Sequence, residues 1–193
     1  YGGQVLGLSV SATTGLTPIF SLGMLAAFAL ASQRLSAGRD PVRLAANGAV
    51  VGIFAFAAVI LAAPLDASLL FRLGTAAIGF GSGLFAIGTL TAAMELAEDT
   101  QAGLALGAWG AVQATATGIA IAFGGGLRDS VTHWAEGGLL GPALMSPVTG
   151  YGAVYQLEIL VLFAALAVIG PLVRGQGEAV SARPAFYLND IPQ

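Results

Sequence analysis

Cysteine is absent, and histidine occurs once, at His133. The lack of thiols excludes disulfides, thiolate metal centres and cysteine nucleophiles, and one imidazole cannot build a multi-histidine metal cage. Charge is also scarce. Only 9% of the 193 residues are charged, against roughly 25% in a soluble domain, which excludes an ordinary water-soluble globule. The net charge of -3, with no basic run, argues against nucleic acid as a partner.

What is present is apolar. Hydrophobic residues make up 56% of the chain and the mean hydropathy is +0.85. The ten acids and seven arginines fall in short clusters, leaving 1–33, 44–65, 73–94 and 100–127 without a charge. Each of these runs exceeds the roughly 20 residues of helix that cross a bilayer. A fifth run, 159–173, is shorter; extended back to Val154 it makes a full span with Glu158 in its first two turns. The expected architecture is therefore an all-α integral membrane bundle of five transmembrane helices, at about 5–32, 44–63, 69–93, 103–126 and 154–173. An outer loop is expected over 128–152, with a short amphipathic piece, 129–136, lying on the membrane surface and Trp134 at headgroup level. A tail is expected over 174–193.

Arginine distribution predicts orientation, because cytoplasmic connections carry the excess of basic residues. Arg34, Arg39 and Arg43 in the first connection, with Arg174 and Arg183 in the tail, outnumber Arg72 and Arg128 on the other side. The first connection and the C-terminus are thus expected in the cytoplasm. The chain begins at Tyr1 and enters apolar sequence with no basic stretch, so the first span is not read as a signal peptide. An odd number of spans with an outside start suggests a processed or partial chain that lacks a preceding helix.

Glycine is abundant, at 28 residues, and recurs four apart: Gly3 and Gly7, Gly48 and Gly52, Gly79 and Gly83, Gly103 and Gly107, then Gly110, Ala114 and Gly118. Lipid supplies no hydrophobic force between helices, so small residues that let backbones approach hold bundles together. Gly48, Gly52, Gly79, Gly83, Gly103 and Gly107 are the expected packing positions, or one such face docks on another protein. The third span, with Gly74, Gly79, Gly81, Gly83 and Gly88, is expected to be the most closely packed or the most mobile.

No serine, histidine and acid could assemble in one membrane layer, no glycine-rich phosphate loop follows a strand, and no acidic pair sits at metal-ligand spacing within a span. The chain reads as a non-enzyme. Glu95 ends the third span beside Glu98 and Asp99, either as a solvated connection or at the interface, pairing with an arginine or ligating Mg. Glu158 is a carboxylate inside a span, which is costly and usually functional; an ion pair at the level of Arg72, Arg128 and Gln156 competes with a ligand site. Gln113, with Thr115 and Thr117, either lines a cavity or hydrogen-bonds between helices.

The stretch Ala31-Ser-Gln-Arg34-Leu-Ser-Ala-Gly38-Arg39-Asp40-Pro-Val-Arg43 resembles a degenerate form of the basic loop between the second and third helices of each half of a major facilitator protein. Further, Tyr1-Gly-Gly-Gln-Val-Leu-Gly-Leu-Ser-Val-Ser-Ala-Thr-Thr14, Gly81-Ser-Gly-Leu-Phe-Ala-Ile-Gly-Thr-Leu-Thr-Ala-Ala-Met94, Gln101-Ala-Gly-Leu-Ala-Leu-Gly-Ala-Trp-Gly-Ala-Val-Gln-Ala-Thr115 and Phe186-Tyr-Leu-Asn-Asp190 resemble the PucC family. That family is also called the LhaA or bacteriochlorophyll synthase-related branch of the facilitator superfamily. The resemblance implies that the five spans are most of the C-terminal six-helix half of a twelve-helix fold. It implies the inner, intracytoplasmic membrane of a phototrophic bacterium and a role in light-harvesting complex assembly. Antenna polypeptides and a reaction-centre complex are the implied partners. Bacteriochlorophyll is the implied cofactor or cargo, for which Glu95, Gln113, Glu158, His133 or a backbone carbonyl would be Mg ligands, with Phe80, Phe85, Trp109 and Phe123 flanking the ring. His133 lies outside the spans, so the chain does not resemble an antenna subunit, which needs a membrane-embedded ligand. A small-solute carrier is the alternative, although the middles of the spans carry no ionisable group for coupling. A truncated chain serving as a structural subunit of a light-harvesting or reaction-centre complex is the other.

Overall fold

The computed structural model describes residues 1–97 and 101–181. Its α-helices are α1 (Val10–Thr14), α2 (Leu16–Ser36), α3 (Pro41–Ala62), α4 (Ser68–Glu95), α5 (Ala102–Glu136) and α6 (Pro147–Ser181), with a 3-10 turn at Pro142–Leu144. No strand occurs among the described residues. The first two helices run on through Gly15, giving five helical units long and apolar enough to cross a membrane, the first being Val10–Ser36.

Local chemistry explains where these helices start and stop. The first begins later than the expected residue 5, because residues 1–9 form turns and Ser9 caps α1, its hydroxyl accepting from the Ala12 amide at 3.2 Å. Between α2 and α3, Gly38 takes a φ of +74°, open to glycine at little cost. Asp40 then caps α3, accepting from the Val42 amide at 2.8 Å, and Pro41 fills the first helical position, where a missing N–H is harmless.

The largest departure from expectation lies in the segment taken as an outer loop. Residues 128–136 are the last turns of α5, which continues to Glu136, and residues 147–152 already belong to α6. The connecting segment is 137–146. The amphipathic piece therefore extends the helix that crosses the membrane and is not a separate surface helix. Hydropathy falls at Arg128 and Asp129, but nothing in 128–136 disfavours helix. Termination waits for Gly137 and Gly138, the latter at a φ of +75°. At 1.5 Å per residue the 35 residues of α5 span about 52 Å, well beyond the roughly 30 Å hydrocarbon core. At the other end, the α6 backbone continues to Ser181, into the segment expected as tail; Arg183 and the stretch 186–190 lie outside the described residues, as do Glu98 and Asp99.

Helix α4 is the central element, flanked by α2 and α3; α6 packs on α3, and α5 on α6. Its glycines divide between two faces. Gly74, Gly81 and Gly88, spaced by seven, face α3: a Cβ on Gly81 would lie 2.8 Å from the Gly48 carbonyl oxygen, and one on Gly88 2.6 Å from the Ala45 nitrogen. Gly79 and Gly83 face α2, where a Cβ on Gly79 would overlap the Phe20 carbonyl. The contact is reciprocal, since a Cβ on Gly23 would overlap the Ala76 carbonyl and one on Gly48 would come within 2.6 Å of the Gly81 oxygen. Around these crossings lie two small clusters of buried side chains, Ala27, Ala31, Leu44 and Leu84 in one, Val59, Ala62 and Phe71 in the other. The third span is thus the closely packed one.

Candidate functional site

A cavity of about 280 Å³ opens among α3, α4, α5 and α6. Gly48, Gly52 and Gly81 form its backbone wall, Phe56 and Phe85 contribute rings, and Leu162 and Ala165 close it from α6. Its polar side chains are Ser82 of α4 and Gln113 of α5. Helix periodicity brings them there: Gly48 and Gly52 are one turn apart, and Gly81, Ser82 and Phe85 share one side of α4. Neither the Ser82 hydroxyl nor the Gln113 side-chain amide has a hydrogen-bond partner among the described residues. Thr117 does not bond between helices; its hydroxyl donates to the Gln113 backbone carbonyl at 2.8 Å within α5. The side-chain bond between α4 and α5 is made instead by Trp109, whose indole N–H donates to the Thr89 hydroxyl at 3.2 Å.

A second cluster gathers where residues 1–9 fold over one end of the bundle. Tyr1 packs on Phe71, Tyr151 and Tyr155 at 5.4, 5.7 and 5.5 Å, and Phe56 lies 5.9 Å from Tyr155. The Tyr1 hydroxyl donates to the Val59 carbonyl at 3.2 Å, and the Tyr151 hydroxyl donates to Gln4 at 2.7 Å. Burial raises the Tyr1 phenol above its ordinary value, so it stays protonated and able to donate. Arg128 sits over the Tyr151 ring at 5.5 Å and pairs with Asp129. Sequence reading missed this cluster, although aromatic residues at one level of neighbouring spans were the available signal.

The residues expected at a pigment site, the four Mg ligands and the flanking Trp109, do not come together. Glu95 is exposed at the end of α4, and His133 is exposed near the end of α5. Trp109 is engaged with Thr89. Glu158 is half-buried on α6 with no partner among the described residues, since Arg128 pairs with Asp129 and Arg43 reaches Asp40 at 3.6 Å. Gln113 alone of the five lines the cavity. A cavity of 280 Å³ lies near the lower limit of small-molecule pockets, roughly 300 to 1,000 Å³, and does not admit a tetrapyrrole macrocycle. The residues present do not fit an enclosed bacteriochlorophyll.

The glycines also separate into two groups. Gly48, Gly52, Gly79 and Gly83 are in close contact with neighbouring helices, Gly52 with Leu162 of α6. Gly103 and Gly107, expected to pack, meet nothing within 4 Å, and neither do Gly110 and Gly118. The reason is that α5 stands at the edge of the bundle, meeting α6 and, more sparsely, α4. Every residue from 111 to 123 is exposed, and the small residues form a continuous open stripe.

Five apolar helices packed through glycine define a multi-pass α-helical membrane protein. A family model described as PUCC protein matches residues 1–177, and the chain belongs to that family. It is 51% identical over 174 residues to a protein of Rhodobacter capsulatus described as an uncharacterized protein in the puhA-bchM intergenic region, covering 90% of this chain and 36% of that protein. It is 48% identical over 183 residues to Protein PucC of Cereibacter sphaeroides, covering 95% and 38%. With Protein PucC of Rhodovulum sulfidophilum it shares 55% identity over 131 residues, 68% of this chain and 29% of the relative. The matched stretches span between 29% and 38% of the length of these relatives. No solved structure matches it.

Proposed function

We propose that this protein serves, without catalysing a reaction, in the assembly of light-harvesting complexes in the inner membrane of a phototrophic bacterium. The observation that carries this reading is the open face of α5, where Gly103, Gly107, Gly110 and Gly118 meet nothing. Other exposed positions carry bulk, on α5 itself at Val112, Ile119 and Phe123 and elsewhere at Leu22, Phe54 and Leu160. A stripe of glycine instead suits a neighbouring helix at close approach. The partner in this reading is the single transmembrane helix of an antenna polypeptide, alone or within a reaction-centre complex. Bacteriochlorophyll enters as cargo of that shared face and not as a group enclosed by this chain. Membership in the PUCC family supports the reading.

The test is purification of the tagged chain from phototroph membranes in mild detergent, with a near-infrared spectrum and mass spectrometry of what accompanies it. Antenna polypeptides and bacteriochlorophyll absorbance are expected with the wild type, and at least a tenfold loss of both with Gly107→Leu and Gly118→Leu. A colourless preparation without antenna subunits sinks the proposal in favour of a small-solute carrier. Equal recovery with the leucine variants sinks the role of α5.

A further inference from the structure

We propose that the cavity among α3, α4, α5 and α6 binds a small uncharged carbonyl compound dissolved in the bilayer interior, held by hydrogen bonds from Gln113 and Ser82. Three observations lead there. First, an amide and a hydroxyl, both exposed in this chain, line the same apolar cavity without a partner among the described residues. Hydrocarbon offers no substitute for water, so unpaired polar groups at membrane depth are disfavoured and call for a polar partner. Both side chains can donate, and a carbonyl oxygen has two lone pairs to receive them.

Second, both groups lie deep. Ser82 is near the middle of α4, which runs Ser68–Glu95, about 20 Å from either end at 1.5 Å per residue. Gln113 is about 16 Å along α5 from Ala102. Half of the hydrocarbon core is about 15 Å, so the ester groups of bilayer glycerolipids, held at the headgroup boundary, do not reach these side chains. The ligand must carry its polar group into the membrane interior, as an isoprenoid quinone or a keto-isoprenoid does.

Third, the size and charge are selective. No ionisable side chain lines the cavity, which disfavours a charged ligand. A volume of about 280 Å³ lies at the small end of ligand pockets, enough for one ring with its carbonyl and too little for a macrocycle. Phe56, Phe85 and the glycine backbone offer flat surfaces for such a ring. This inference does not depend on the assembly role.

The protein has two tryptophans, so Trp134→Phe leaves Trp109, one turn from Gln113, as the sole reporter. A decyl-substituted benzoquinone, which quenches indole fluorescence on contact, is titrated into this variant in lipid nanodiscs. Saturable quenching is expected, weakened about tenfold by Gln113→Leu, the scale of one lost hydrogen bond, and abolished by Ala165→Phe, which fills the cavity. Excess dodecane should not displace the quinone. Linear, unsaturable quenching, the same in every variant, shows mere partition into lipid and overturns the proposal. Displacement by dodecane overturns it as well, because the polar pair then selects nothing. Circular dichroism checks folding; where Ala165→Phe does not fold, the pair Gln113→Leu and Ser82→Ala decides by the same criterion.

Discussion

A glycine in this chain is identified by what a methyl group in its place would touch. At Gly79 that methyl would overlap the Phe20 backbone, which cannot move aside without separating α2 from α4. At Gly103 it would meet nothing. Gly79→Ala should therefore lower the unfolding free energy in detergent by about 1 to 3 kcal/mol, the range for overpacking. Gly103→Ala should leave it unchanged or raise it by up to about 1 kcal/mol, the difference in helix propensity. Unfolding by titration with denaturing detergent compares the two directly, and equal destabilisation would contradict the division of glycines into packed and open groups. Gly23 shows what a motif search by repeated glycine overlooks: its companion one turn on is Ala27, buried at the same crossing. A search for small residues four apart, with alanine included, would have found it.

At the scale of elements, the five spans were legible because hydropathy and length act over about twenty residues and are insensitive to detail. Their ends were less legible. Membrane hydropathy stops at Arg128, whereas the helix, whose backbone bonds need no apolar side chains, continues to Glu136. The candidate site was legible only in parts. Gln113 and Phe85 were singled out and do line the cavity, but Ser82 was not, since a serine among glycines carries no periodic signal. The bond from Trp109 to Thr89 pairs residues twenty apart, and nothing local in either span announces the other. This bond fixes α5 against α4, where little else touches. Trp109→Phe keeps the ring and removes the donor, and should lower the unfolding free energy by about 0.6 kcal/mol, the mean for polar links between membrane helices. Thr89→Val should cost a similar amount, and the double variant no more than either alone. Additive losses would mean that the two side chains are not coupled.

For the molecule as a whole, the order of the helices fixes which ends lie together, and charge predicts which side faces the cytoplasm. Alternating spans put the connection at 37–40 on one side and the connections at 63–67 and 137–146 on the other. Arg34, Arg39 and Arg43 cluster at the first, while Arg72 and Arg128 flank the other two. The bias is decided within short connections, where it governs orientation, and Asp40 does not cancel it, because acidic residues contribute little. The absence of cysteine makes the prediction easy to check, since a single introduced thiol is the only one to react. Ala37→Cys should be labelled by a membrane-impermeant maleimide only after cells are opened. Gly138→Cys, in the connection between α5 and α6, should be labelled in spheroplasts. Both substitutions lie at exposed turn positions, although Gly138 has a positive φ, so Leu139→Cys beside it serves as a less strained reporter. The opposite pattern would place the first connection outside. It would also turn around the end of α5 that extends beyond the bilayer, carrying Arg128, His133 and Trp134 into the cytoplasm.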